Sequence, residues 1–426
     1  MDHKKTKIIA SSLIFLIAGF GWFYFLSKKT VISIESKQPE QASQQVSLPE
    51  KTEKIETQKP ANSDIEPQKP LQNPPETIKA VYFTSWSGAT ESRINYLLDL
   101  KKTTQINSVV IDIKDYSGLI AYNIDLPEAE KYRTKEIRIS KINSLIKKLH
   151  DNGIYIIARI TAFQDPALAK ARPDLAVKRK NNASSTPPYP TWYDNKKLAW
   201  LDPGSKEVWD YIVSIAKDAA GRGFDEINFD YIRFPSDGDL SVMYFSFSDP
   251  KIPKHQIIKN FFQYLRESLP DIKISADIFG LVTINKDDMG IGQVLEDIYE
   301  NFDYVCPMVY PSHYYTGTLG YKNPADHPYE VIRYSMDNAF NRLLALKYPK
   351  TAASATSSPQ TDQISPANPK IRAKLRPWLQ DFDLGAIYTA DMVKSEIKAV
   401  SDALKYEYSG FMLWNPSNVY TKEAVQ

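Results

Sequence analysis

Two short segments hold the acids best placed to do chemistry. In residues 223–235, GFDEINFDYIRFP, strand alternation sends Ile227 and Phe229 to one side and Asn228 and Asp230 to the other. In residues 273–280, KISADIFG, Ile274, Ala276 and Ile278 share one side, and Ser275 and Asp277 share the other. If both segments are neighbouring parallel strands, about 4.8 Å apart, two carboxyl groups meet at one rim. Glycoside hydrolysis needs such a pair: one acid protonates the departing oxygen while the other attacks, or activates water, as positive charge builds on the sugar ring. The competing reading is a hydrogen-bonded acidic rim in which Asp230 pairs with Arg233 and closes a loop. Arg233 could also orient Asp230 for catalysis.

Further polar residues share the inward parity. Asp112 and Lys114 alternate with Ile111 and Ile113, and Arg159 ends an apolar run in ARIT. A buried Lys or Arg needs a carboxylate, so Asp112, Lys114 and Arg159 are expected in one network with Asp230. His313, in YPSHYY, is placed to bind a hydroxyl. Tyr231, Tyr310, Trp86, Trp378 and Trp414 fall at strand ends, where rings with polar tips make platforms for sugar faces.

Other chemistries lack their residues. The five histidines have no HExxH spacing, and neither GxSxG nor GxxxxGK[ST] occurs. No metal or cofactor is therefore expected. With 53 basic against 51 acidic residues the net charge is +2, which does not describe a nucleic-acid binder. The single cysteine, Cys306, excludes an intrachain disulfide, and 42% hydrophobic residues supply a packed core instead.

These residues must be positioned by repeating elements. Strand-like runs are predicted at 78–86, 108–114, 154–160, 226–231, 272–278, 303–310, 371–379 and 409–414. Helical patterns fall between them at 91–100, 142–150, 206–220, 257–268, 294–299, 329–346 and 393–404. Eight strands alternating with helices predict an α/β fold, a (β/α)8 TIM barrel over residues 78–426. Long connections after the second, third and fourth strands, 115–140, 161–205 and beyond 230, would lie on the face where active sites gather. A Ser/Thr/Ala-rich stretch at 351–370 is expected to be an insertion on the opposite face.

The chain ahead of the barrel divides in two. Residues 8–26 are uncharged and apolar between lysines, and nineteen residues at about 1.5 Å each match a bilayer core of about 30 Å. Residues 1–29 are thus expected to be an uncleaved transmembrane helix, with the N-terminus cytoplasmic by the lysine distribution and the barrel outside the cell membrane. Residues 30–77 hold seven prolines and no aromatic residue, which predicts a disordered tether.

The motifs AVYFTSW, VVIDIKDYSGLIAYN, IARITAFQD, GFDEINFDYIRFPSDG, ISADIFG, DYVCPMVYPSHY and GFMLWNPSN occur in order over roughly residues 80–420. Together they resemble a bacterial family of glycoside-hydrolase-like TIM barrels, distantly similar to α-amylase-type barrels. The resemblance implies Asp230 as nucleophile or base and Asp277 as acid. Amylase-type enzymes usually carry Glu at the second of these positions and Arg two residues before the nucleophile, where this chain holds Asp277 and Asn228. The expected partner is an extracellular or cell-envelope polysaccharide, hydrolysed by the barrel or, in the rival reading, only bound by it.

Overall fold

The computed structural model describes residues 63–180, 187–349 and 367–426. Eight parallel strands form its centre: β1 (Ile78–Phe83), β2 (Ser108–Lys114), β3 (Tyr155–Thr161), β4 (Glu226–Asp230), β5 (Ile274–Phe279), β6 (Tyr304–Met308), β7 (Trp378–Gln380) and β8 (Gly410–Trp414). Each pairs with its successor in the chain, and β1 pairs with β8 as well as β2, so the sheet closes into the TIM barrel that the strand count predicts.

Period-two alternation explains why these segments are strands. In β1, Val81 and Phe83 join the apolar layer under the helices while Ile78, Ala80 and Tyr82 fill the barrel. In β3, Ile156, Ala158 and Ile160 face outward and Tyr155 and Ile157 inward. The outer layer is covered by α1 (Glu91–Thr103), α2 (Ile142–His150), α3 (Lys206–Gly221), α4 (Lys254–Ser268), α5 (Leu295–Tyr299), α6 (Pro328–Lys347) and α7 (Ala390–Leu404). In α3, Val208, Ile212, Ile215 and Ala219 recur every three or four residues and are buried, and the Ser205 hydroxyl caps the first turn by accepting from Val208 N–H.

Two features set the ends of the barrel. At the C-terminal end the long connections carry strands of their own: Ile120–Tyr122 and Lys135–Ile139 after β2, and Lys178–Arg179 paired antiparallel with Met243–Tyr244 after β3 and β4. The Asp202 carboxylate ties the latter two connections together, accepting from Phe247 N–H at 2.7 Å and from the Ser248 hydroxyl.

At the base, the chain joins the barrel before residue 77, where the expected tether was to end. Asp64 accepts from the Asn143 and Ser144 N–H groups at 2.6 and 3.0 Å, capping α2, whose adjoining Lys141 offers no side-chain cap. Leu71 N–H bonds the Asp225 carboxylate at 2.6 Å, and its side chain packs against the inner cluster. Composition over a long window cannot reveal one carboxylate that meets two orphan N–H groups. Among the described residues no helix is long and apolar enough to cross a membrane. The expected anchor at 8–26, the tether up to residue 62 and most of the insertion at 351–370 lie outside the described residues.

Candidate active site

Strand register brings the acids together. Asn228 pairs with Ser275 and Phe229 with Ala276, so Asp230 and Asp277 follow side by side as β4 and β5 reach their C-terminal ends. Asp112 lies opposite Arg159, and Arg159 opposite Asn228. All four charged side chains enter the barrel mouth, where Asp112, Asp230 and Asp277 are buried and the Arg159 side chain is 15% exposed.

Arg159 is the hub. Its Nη1 donates to Asp112 at 2.5 Å, its Nη2 to Asp230, and its Nε lies 3.4 Å from Asp277. One guanidinium thus spans three carboxyl groups, its planar fork letting each take a separate N–H. Each acid has further donors. Tyr82 O–H donates to Asp112 at 2.5 Å, and Tyr231 N–H donates to Asp230. Asp277 Oδ1 accepts from Asn228 at 2.9 Å and from Trp378 Nε1 at 2.7 Å. Tyr231 holds a left-handed conformation, φ 54°, which turns the chain sharply at the end of β4.

One cation among three buried acids cannot keep all of them ionised. Burial first, and then the Asp230 charge, push the Asp277 carboxyl up to about 7 against the pull of Arg159. Burial also raises Asp112, with Arg159 opposing. Asp277 Oδ1 receives both neutral donors, while Oδ2 faces Arg159 Nε at 3.4 Å.

Aromatic rings wall one side of the mouth. Trp414 lies 5.0 Å from Phe382, 6.0 Å from Tyr310 and 6.3 Å from Tyr82, centroid to centroid. His313 packs 5.4 Å from Tyr310, and burial pushes its imidazole down to about 4, so it is neutral near pH 7. Ser312 gives its one hydroxyl hydrogen to Gln380 Oε1 at 2.8 Å and must therefore accept from His313 Nδ1 at 3.0 Å. That tautomer leaves His313 Nε2 as an acceptor for a hydroxyl.

A family model described as "Putative glycosyl hydrolase domain" matches residues 80–420. The chain belongs to this glycosyl hydrolase domain family. Among solved structures, a hypothetical protein from Ruminiclostridium thermocellum is 37% identical, over 50% of this chain and 98% of its own, with a TM-score of 0.42. An α-galactosidase from Thermus thermophilus is 11% identical over 84% of this chain and 61% of its own, with a TM-score of 0.47. The glycoside hydrolase domain of PelA from Pseudomonas aeruginosa is 11% identical over 81% and 97% of the two chains, with a TM-score of 0.41. No curated protein matches the chain.

Within this glycosyl hydrolase domain, Asp112, Arg159, Asp230 and Asp277 meet; Tyr231 N–H and Trp378 Nε1 bond two of the acids, Tyr310 and Trp414 belong to the ring wall beside Tyr82, and His313 packs on Tyr310. Three expected site residues stand elsewhere. Lys114 follows a register shift in β2, and its ammonium is sealed against Asp165 at 2.9 Å and the Thr161 carbonyl at 2.7 Å. The irregularity breaks the parity that was to carry Lys114 into the mouth, so it braces the β2 and β3 ends instead. Arg233 does not pair with Asp230, whose partner is Arg159; it lies among the rings of Trp200, Tyr231 and Phe279. Trp86 is 58% exposed beneath the Arg138 guanidinium and touches none of the acids.

The sequence reading missed Tyr82 and Phe382. Tyr82 was legible from alternation with Val81 and Phe83, whereas Phe382 lies in a loop that no periodicity governs. Among the described residues no group of His, Cys, Asp and Glu is arranged to hold a metal ion.

Proposed function

We propose that this domain hydrolyses glycosidic bonds of an extracellular or cell-envelope polysaccharide, with Asp230 as nucleophile and Asp277 as proton donor. The observation that carries the reading is the sharing of one Arg159 edge, Nη2 and Nε, by two carboxyl groups from adjacent strands. Asp277, raised to about 7, holds a proton to give at neutral pH. It donates that proton to the leaving oxygen as an Asp230 oxygen bonds to the anomeric carbon. Water, deprotonated by Asp277, then cleaves the glycosyl ester and restores both groups. Strands about 4.8 Å apart and a shared guanidinium edge favour the spacing of about 5 to 5.5 Å that accompanies retention over the wider spacing of inverting enzymes. Asp112, Arg159 and Tyr82 position the pair, and Trp414, Tyr310, Tyr231, Trp378 and His313 line the sugar's approach. In this proposal residues 8–26 anchor the chain in the cell membrane, and the segment up to residue 62 lets the barrel work away from it.

The burial of Asp277, 1% exposed and committed to Asn228 and Trp378, favours a second reading in which the mouth binds a polysaccharide without cutting it. Asp230→Asn separates the two. Reducing-end release by the wild type that is lost in the variant, with glycan binding retained, supports the hydrolase. Binding without release by the wild type supports the binder and ends the catalytic assignment.

A further inference from the structure

Among the described residues Arg233 is a buried cation that forms no ion pair. Only 8% of the residue is exposed. Its guanidinium lies 4.5 Å from the Phe279 ring, 4.9 Å from Trp200 and 5.3 Å from Tyr231. Its Nη1 donates to the Phe234 carbonyl and the Ser236 hydroxyl, both at 3.1 Å. Nε and Nη2 bond to nothing among the described residues, yet they are not among the sealed unpaired atoms, so they keep an opening outward.

The nearest acids, Asp230, Asp237 and Asp194, attract Arg233 from a distance, but none forms an ion pair with it among the described residues, and each has other hydrogen bonds. Asp230 is bound by Arg159 and by Tyr231 N–H. Asp194 accepts from Lys196 N–H, Leu198 N–H and Trp200 Nε1. Asp237 accepts from Asn195 N–H. Three ring faces offset part of the cost of taking the guanidinium out of water, without supplying the charge and hydrogen-bond acceptors of a carboxylate. Burial accordingly pushes this guanidinium below its ordinary range.

Arg233 stands three residues beyond Asp230, and Phe279, which it covers, is two beyond Asp277 on the same inward parity. An Nε and Nη2 edge presents two parallel N–H groups, the geometry that takes a carboxylate in bidentate fashion. We propose that Arg233 binds the carboxylate of a uronic acid in the glycan, so that the substrate class is acidic polysaccharide. This rests on the proposed glycan-binding mouth but not on catalysis there.

The test measures affinity, or KM where cleavage occurs, for the full chain. Oligosaccharides of polygalacturonate, alginate and glucuronoxylan are each compared with their carboxyl-reduced forms, and a sulfated oligosaccharide with its desulfated form. A charge-assisted bidentate contact predicts that at least one uronate oligosaccharide outbinds its reduced form by about tenfold or more. Arg233→Gln should abolish that preference, so that the variant binds the uronate oligosaccharide and its carboxyl-reduced form equally. Arg233→Lys, which keeps the charge but not the fork, should retain part of it and serves if the Gln variant does not fold. No preference for any acidic form, preference confined to the sulfated one, or preference surviving in Arg233→Gln overturns the assignment. Cleavage of neutral glycans without acid preference would sink this inference alone, whereas acid-selective binding without cleavage would leave it standing and sink the hydrolase reading.

Discussion

Removing Arg159 tests the electrostatics of the mouth. In Arg159→Gln, three carboxyl groups keep their places but lose the cation that is hydrogen-bonded to all of them. At an effective dielectric constant of about 20, a unit charge pair about 4 Å apart is worth about 4 kcal/mol, and part of each attraction is offset by the desolvation of Arg159 itself. Deleting one partner of a buried pair costs about 3 to 5 kcal/mol, because the other charge stays behind unpaired. We expect that loss in unfolding free energy at pH 8, measured by chemical denaturation. Acidification should return part of it. Without the guanidinium, the Asp112 and Asp277 carboxyls, already raised, rise further. A folded state with raised carboxyl pKa values binds protons that the unfolded chain does not, so stability falls as pH rises. The deficit of the variant should therefore be smaller at pH 5 than at pH 8, and adding Asp112→Asn should restore at least about 1 kcal/mol at pH 8 by removing one repelling charge. A loss below about 1 kcal/mol at pH 8, or a larger deficit at pH 5, would refute this account of Arg159 as the shared counter-ion.

Three other expectations follow from the same structure. Because the folded Asp277 carboxyl sits near 7 against an ordinary 3.8, the stability it contributes is complete below about pH 4 and is lost as pH climbs towards 7. Asp277→Asn should flatten the decline of stability across that window in a pH series of denaturation curves, and an unchanged slope would contradict it. Deep in the barrel, Arg376 and Glu226 pair with both side chains fully buried, so Arg376→Met should cost about 3 to 5 kcal/mol while the double change with Glu226→Gln recovers most of it; equal losses in the two would count against the pairing. At Gly223, φ is 103° and a Cβ would meet the Gln68 carbonyl oxygen at 2.6 Å. Gly223→Ala should therefore cost at least about 1 kcal/mol and speed proteolysis within residues 63–77, which the wild type should resist.

The barrel was legible because its strands obey simple alternation on both faces. Phe229 and Ile227 need the helix side, which fixes Asp230 inward, and the same rule fixes Asp277 on the next stave. What was not legible depends on reach and irregularity rather than period. Arg159 crosses the mouth on a long side chain to touch Asp277 two strands away, and nothing local records that span. Lys114 has the right parity in the sequence, but a register shift turns it to Asp165. Arg233 was read as a partner for Asp230 because the two are close in sequence, whereas the turn at Tyr231 separates them and gives the acid to Arg159. Residues 63–77 have a tether's composition, yet Asp64 and Leu71 find specific partners at the base.

The central claim is that Asp230 attacks the sugar while Asp277 handles the proton, and chemical rescue tests it most directly. With a glycan that the wild type cleaves, Asp230→Ala should be inactive by reducing-end assay, and added azide should restore turnover by attacking the anomeric carbon in the carboxylate's place. The product should be a glycosyl azide of configuration opposite to the substrate, identified by mass spectrometry and NMR. Full activity in Asp230→Ala without azide, or an inverted glycosyl azide formed only by Asp277→Ala, would contradict the assignment of the two acids.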